Sequence, residues 1–216
     1  LPITLMPDAV AAAWLERGYA VLDVGYIGGS KSLSHIGIPS SDSILSNMVI
    51  EIEEMITIAH ERLKVETQIQ HDKNLIIIGN SFGGIIALQL AQNNRANGVL
   101  LLMPICDLQS QLDHLNSDAP GWGFRAPYRR FIESNLETSE SCDRAVQNET
   151  PLFIVQGEND QNVGSTSQLA LDRSLAARGS ATLVKRPGSD GHMIDLAYLS
   201  TVVDQADRWF AEQGGH

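Results

Sequence analysis

One serine, Ser81, stands where a short apolar run gives way to a helix-like segment, in the stretch LIIIGNSFGGIIALQL. The five residues Gly79–Gly83 match the pattern G-x-S-x-G. In this pattern a sharp turn between a strand and a helix lifts the serine Oγ above the sheet, and the glycines let neighbouring backbone approach closely. The flanking apolar segments indicate a nucleophile rather than an ordinary turn residue. The N–H of the next residue, Phe82, would point into the site and stabilise an oxyanion.

A serine nucleophile needs a base, and the base needs an acid that orients it. Asp160 follows an apolar run in QGENDQNV, and His192 follows the next run in KRPGSDGHMI. The chain order serine, acid, histidine is the order found with this kind of elbow. Glu158 lies on the same loop as Asp160 and is the alternative acid. We expect Asp160 to hold the imidazole of His192, which would act as the general base.

Four of the other five histidines have settings typical of surface residues. They occur in a loop, a charged helix, a turn before a strand and an inserted segment: His35, His60, His71 and His114. No Cys/His spacing suggests zinc, and nothing in the sequence calls for a metal or an organic cofactor.

Two cysteines occur in the chain, Cys106 and Cys142. Two are too few for a disulfide scaffold, and the sequence favours two free, partly buried thiols. The alternative is a single bridge, which would stabilise the fold by about 3–4 kcal/mol in an oxidising compartment.

Short apolar strands alternate with helical segments along the chain. Six strands are predicted, at Pro2–Met6, Tyr19–Val24, Asn74–Gly79, Gly98–Met103, Pro151–Gly157 and Ala181–Arg186. Helices are predicted over Ala9–Gly18, with Asp8 as its cap, Ile44–Leu63, Gly84–Gln92, Ser165–Arg178 and His192–Gln213. Continuous apolar strands are typical of a parallel, doubly wound α/β sheet with helices on both faces. Three strand ends would then bring the serine, the acid and the histidine to one edge.

Residues 105–150 interrupt this alternation, and we interpret them as a cap inserted into a single domain that spans residues 1–216. A cap would lie over the carboxyl edge of the sheet, where open α/β sheets bind ligands. Aromatic and basic residues of the segment are candidates for substrate binding: Trp122, Phe124, Tyr128 and Arg125. The alternative is that the aromatics pack the cap onto the domain and that the arginine forms surface ion pairs.

The composition excludes several classes of function. A formal net charge of -11 argues against nucleic-acid binding and against a polybasic membrane anchor. No apolar run approaches the ~18 residues that a membrane span needs. The start LPITLMPD has neither a positive charge nor a cleavage pattern, so no signal peptide is predicted. We expect a soluble protein, with the cytoplasm slightly favoured over a secreted or periplasmic location.

These motifs resemble those of an α/β-hydrolase, and most closely the catalytic domain of the prolyl-oligopeptidase family of serine peptidases. The similar segments are WLERGYAVLDVGYIGGS, GNSFGG, PLFIVQGENDQNV and PGSDGHMI, and the similarity spans most of residues 10–213. By position, the resemblance implies Ser81 as nucleophile, Asp160 as orienting acid and His192 as general base. It implies hydrolysis of a small-molecule or short-peptide substrate through an acyl-enzyme.

Two departures from the family pattern bear on function. The family usually carries a β-propeller before the hydrolase domain, and this sequence has none. The family's second oxyanion donor comes from a loop after the first parallel strand, whereas here Pro7 and Asp8 follow at once. Either the chain is trimmed there, or the donor lies elsewhere, with Tyr26–Gly29 as a candidate. Three functions therefore stand open: a peptidase or amidase, a carboxylesterase or lipase-like enzyme, and a non-catalytic binding protein on a hydrolase scaffold.

Overall fold

The structure, a computed structural model, describes residues 5–22, 45–67, 75–93, 96–117, 125–137, 142–178, 182–185, 191–192 and 196–214. At the centre of these described ranges lies a parallel sheet of four strands. The strands are β1 (Ile76–Asn80), β2 (Gly98–Leu102), β3 (Leu152–Val155) and β4 (Thr182–Lys185), which lie in the order β1-β2-β3-β4. Asn80, Leu102, Val155 and Lys185 are register partners across the sheet, so the carboxyl ends of all four strands meet at one edge.

Eight helices surround this sheet within the described ranges. They are α1 (Leu5–Leu15), α2 (Leu45–Thr67), α3 (Gly83–Asn93), α4 (Leu108–Asn116), α5 (Arg125–Asn135), α6 (Cys142–Ala145), α7 (Ser165–Ala176) and α8 (Leu196–Gly214). Among these helices none is both long enough and apolar enough to cross a bilayer.

The sheet has an apolar core on each face. Val99 and Leu101 of β2 belong to one cluster, together with residues of α2, α3, α4, α5 and α7. Leu100 and Leu102 belong to the other cluster, which α1 and α8 complete. Successive strand residues point to opposite faces, so a strand buried on both faces must be apolar throughout. The predicted two-sided parallel sheet is confirmed.

The first part of the chain differs from the sequence-based prediction. Leu5 and Met6 begin α1 and do not end a strand, and Asp8 lies inside the helix and does not cap it. An alanine-rich segment with Pro7 and an acidic residue in its first turn favours a helix, and this local preference prevails. No strand occurs over Tyr19–Leu22. The remainder of both predicted strands lies outside the described residues, so four of the six predicted strands are observed.

One helix end and one helix start also differ from their predicted positions. The second helix extends to Thr67, beyond its predicted end at Leu63. The last helix begins at Leu196, so His192 lies in a loop before it and not in its first turn. The histidine therefore lies between β4 and α8 in the chain.

The insertion at residues 105–150 contributes α4, α5 and α6. Their apolar faces enter the same core cluster as β1–β3, through Leu108, Phe131, Ile132 and Cys142. The described part of the insertion is therefore packed into the domain core. That residues 105–150 cover a bound substrate stays a prediction.

The two cysteines form a disulfide between Cys106, just before α4, and Cys142, the first residue of α6. The expectation of two free thiols is therefore wrong. Both cysteines are buried and their Cα atoms are 5.1 Å apart, since the core cluster brings together segments separated by 36 residues. Stable disulfides are rare in the cytoplasm, and the cytoplasmic location expected from the sequence stays a prediction.

Removing this bridge should destabilise the protein by about 3–4 kcal/mol, because it closes a loop of 36 residues in the unfolded chain. We expect the double variant Cys106→Ala/Cys142→Ala to unfold at a lower urea concentration than the wild type. Dithiothreitol should lower the wild-type midpoint and leave that of the double variant unchanged. A wild-type midpoint that does not respond to the reductant would contradict a stabilising bridge.

Candidate active site

The nucleophile turn joins the end of β1 to the start of α3. Ser81 has a φ of 52°, in the left-handed region that non-glycine residues rarely adopt. Its N–H donates to the carbonyl of Leu102 at 2.9 Å, which continues the pairing with β2. Its own carbonyl accepts from the N–H groups of Gly84 and Ile105, both at 2.9 Å. Three backbone hydrogen bonds thus hold a strained serine at the carboxyl edge of the sheet.

Glycine is needed at two positions around this turn. An added Cβ at Gly79 would lie 2.5 Å from the carbonyl oxygen of Gly83 and 2.7 Å from Cβ of Ala87. An added Cβ at Gly84 would lie 2.6 Å from Cβ of Pro104. Gly83, in contrast, has open space where its side chain would be. Close approach of neighbouring atoms therefore requires glycine at Gly79, the first glycine of the five-residue motif, and at Gly84, which follows the motif. It does not require glycine at Gly83, the last residue of the motif.

Gly79→Ala is expected to destabilise the fold by about 1–3 kcal/mol, because the new methyl group meets backbone and a helix residue that cannot both move away. Gly83→Ala is the matched control, since its methyl group meets no atom within 4 Å. Urea unfolding of the two variants measures the difference. Equal midpoints for both variants would show that the turn is not as tightly packed as described.

The predicted acid lies on the loop between β3 and α7. The side chain of Asp160 is 1% exposed, and its Oδ1 accepts from the N–H groups of Asn162 at 2.8 Å and Val163 at 3.1 Å. A buried carboxylate is costly unless its lone pairs are satisfied, and these two bonds satisfy one oxygen. The loop therefore fixes the direction in which the other oxygen, Oδ2, points.

The second oxygen of Asp160 holds the predicted base. His192 Nδ1 lies 2.9 Å from Asp160 Oδ2, and the imidazole is 15% exposed. Because an ionised carboxylate can only accept a hydrogen bond, Nδ1 carries the proton in this arrangement. The neutral imidazole then has Nε2 as its basic nitrogen. The alternative acid, Glu158, is exposed.

The side chain of Phe82 anchors the residue that follows the serine. Its ring is 3% exposed and meets Phe131 edge-on at a centroid distance of 4.9 Å and Tyr128 at 6.4 Å. These contacts join α5 to the nucleophile turn. Two of the aromatics in the insertion therefore pack against the residue whose backbone N–H is the predicted oxyanion donor.

The other predicted site residues are placed only in part. Tyr128 is buried against Phe82, and Arg125 is the first residue of α5. Trp122 and Phe124 lie outside the described residues, as does the candidate source of the second oxyanion donor, Tyr26–Gly29. Among the described residues, no cluster of His, Cys, Asp and Glu could hold a metal ion.

Two polar residues of α4 contact the acid loop and were not predicted. Gln111 Nε2 donates to the carbonyl of Asn162 at 2.8 Å. His114 Nε2 lies 2.7 Å from the carbonyl of Gln161, so this nitrogen is the donor. In the sequence these two residues are three positions apart in a helix of mixed polar and apolar residues, which gives no signal of a shared role. His114 was predicted to be a surface residue. Only the position of the loop after β3 reveals their role.

Comparison with known proteins places this chain in a family. The family model described as the prolyl oligopeptidase family matches residues 8–216. No curated protein matches the chain at a significant level.

Several solved structures share the fold. Est1E from Butyrivibrio proteoclasticus, solved with ferulic acid, is 16% identical with a TM-score of 0.67, over 97% of this chain and 83% of that one. The esterase domain of a Rhodothermus marinus protein is 20% identical with a TM-score of 0.56, over 94% and 77%. Pyrococcus horikoshii acylaminoacyl peptidase is 14% identical with a TM-score of 0.54, over 74% and 26%. The fold is the α/β-hydrolase fold, and the chain belongs to the prolyl oligopeptidase family of serine hydrolases.

Proposed function

We propose that the chain hydrolyses a peptide or amide bond through Ser81, His192 and Asp160. The Oγ of Ser81 attacks the acyl carbonyl while Nε2 of His192 takes its proton. The imidazolium then gives that proton to the leaving amine, and the acyl group remains on the serine. Water hydrolyses this acyl-enzyme with the same histidine as base, which restores the serine hydroxyl.

One observation carries the proposal: a buried Asp160 bonded to His192 Nδ1 at 2.9 Å, on the same sheet edge as a serine held at a φ of 52°. Residues in sparsely populated backbone regions persist where the surrounding structure fixes them, and they cluster at active sites. Asp160 stabilises the imidazolium that forms on His192, and the N–H of Phe82 stabilises the oxyanion.

The family match supports peptide or amide hydrolysis, since the family model extends over almost the whole chain. Within the insertion, the contact of Tyr128 with Phe82 favours a packing role for this aromatic. Trp122 and Phe124 remain our candidates for the wall of the acyl pocket. Arg125 is our candidate for binding a substrate carboxylate such as a peptide C-terminus.

Ester hydrolysis is the second candidate, because the Rhodothermus marinus esterase domain is similar over 94% of this chain, against 74% for the acylaminoacyl peptidase. A matched pair of substrates separates the two functions: a p-nitroanilide and a p-nitrophenyl ester of the same N-acyl amino acid. We expect turnover of the anilide that a fluorophosphonate abolishes. Turnover of the ester alone, with the anilide at background, would overturn the peptidase proposal in favour of the esterase.

A further inference from the structure

We propose that Gln111 and His114 of α4 are positioning residues that hold Asp160 in place through two peptide groups of the acid loop. The inference rests on the proposed function of Asp160 and His192, and it assigns a role to residues outside the triad. We call Gln111 and His114 together the α4 clamp.

The first peptide group lies between Gln161 and Asn162. Its N–H donates to Asp160 Oδ1 at 2.8 Å, and its carbonyl accepts from His114 Nε2 at 2.7 Å. The N–H and C=O of a trans peptide point in opposite directions in one plane, and the described residues contain no cis peptide. A donor that fixes the carbonyl from outside the loop therefore also fixes the direction of the N–H inside it.

The second peptide group, between Asn162 and Val163, repeats this arrangement. Its N–H donates to Asp160 Oδ1 at 3.1 Å, and its carbonyl accepts from Gln111 Nε2 at 2.8 Å. Both peptide groups that bind the carboxylate are therefore held on their far side by α4. Hydrogen bonds in such chains also polarise one another, which strengthens the bonds to the carboxylate.

The contact between α4 and the loop is closely packed. Gln111 is 1% exposed, and its Oε1 lies 3.4 Å from the hydroxyl of Ser167 on α7. A Cβ added at Gly164, which has a φ of 35°, would lie 2.4 Å from Nδ1 of His114, so the loop backbone lies directly on this ring. Burial leaves Gln111 little choice of partner, because an unpaired amide there would cost free energy.

The helix that carries the clamp is itself anchored. Asp107 caps α4 by accepting from the N–H of Ser110 at 2.6 Å, and Cys106 just before it is tied to Cys142 by the disulfide. Gln111 and His114 are three residues apart, so they share one face of α4. The clamp thus gives the acid loop a rigid support outside its own chain segment.

For the chemistry, the clamp sets where Asp160 Oδ2 points and hence the position of His192. A displacement of about 1 Å at a catalytic group can cost up to 10²-fold in rate. Since the substrate does not enter this interaction, its loss should change kcat and leave KM unchanged.

The test compares Gln111→Met, which keeps the side-chain volume, and His114→Ala with the wild type. We expect each to lower kcat for the substrate turned over by the wild type about 10-fold, with KM within about twofold. His114→Gln should restore most of the rate, because its amide nitrogen can reach the position of Nε2. Gln109→Met is the control on the same helix, since Gln109 bonds only to Asp113 within α4.

The second readout is the proton on His192 Nδ1, observed by NMR in ¹⁵N-histidine-labelled resting protein and assigned by its loss in His192→Gln. Its exchange with water should be several-fold faster in Gln111→Met and His114→Ala, and unchanged in Gln109→Met. The proposal would be overturned if both clamp variants kept the wild-type kcat and the wild-type exchange rate of the Nδ1 proton. It would also be overturned if they had a lower melting temperature while kcat and that exchange rate stayed unchanged. Because the NMR signal needs no turnover, it tests the clamp separately from the proposed hydrolase mechanism.

Discussion

Ser81→Ala is expected to abolish covalent labelling by a fluorophosphonate and to lower kcat on the order of 10⁶-fold. The reagent phosphonylates a serine Oγ only when a base removes its proton, and the strained turn presents this Oγ at the carboxyl edge of the sheet. Intact-mass spectrometry after labelling would show the mass addition in the wild type and none in the variant. Turnover of the substrate that the wild type cleaves gives the rate.

The control for this experiment is Ser134→Ala, which removes an exposed hydroxyl that bonds only within α5. It should label at the wild-type rate, and both variants should keep the wild-type circular dichroism spectrum. The nucleophile assignment is wrong if Ser81→Ala still takes up the reagent with one-to-one stoichiometry. The same result would remove the basis for the proposed acyl-enzyme.

The sheet could be predicted from the sequence where burial on both faces imposes a pattern. A strand such as Gly98–Leu102 must be apolar at every position to fill a core on each side, and that signal is local. The start of the chain carried two competing signals. Leu5 and Met6 fit an apolar strand, while the alanines that follow favour a helix, and the helix that forms packs on α8.

The relation between the acid and the histidine was predictable because each follows a strand, and parallel strands bring their carboxyl ends together. The bridge between Cys106 and Cys142 was not predictable, because the pairing of two distant cysteines depends on how α4 and α6 pack. The roles of Gln111 and His114 were not predictable either, because their contacts also depend on how α4 packs. Their partners are backbone carbonyls, which leave no mark in the residue types of the acid loop.

Asp160→Asn is expected to lower kcat about 10⁴-fold with little change in KM. The two loop N–H groups at Oδ1 still need an acceptor, so the asparagine would turn its amide oxygen towards Asn162 and Val163. Its NH₂ group then faces His192, where the carboxylate oxygen had been. Nδ1 must become the acceptor, so the proton moves to Nε2, and an Nε2 that carries a proton cannot take one from Ser81.

The rival acid supplies the matched control for this prediction. Glu158→Gln removes an exposed carboxylate on the same loop, so we expect kcat to stay within about twofold of the wild type. Measuring kcat for both variants with one substrate distinguishes the two acids directly. A large loss in Glu158→Gln with a small loss in Asp160→Asn would reassign the orienting acid. A large loss in Asp160→Asn alone would show that the catalytic tautomer of His192 depends on the carboxylate that the acid loop buries.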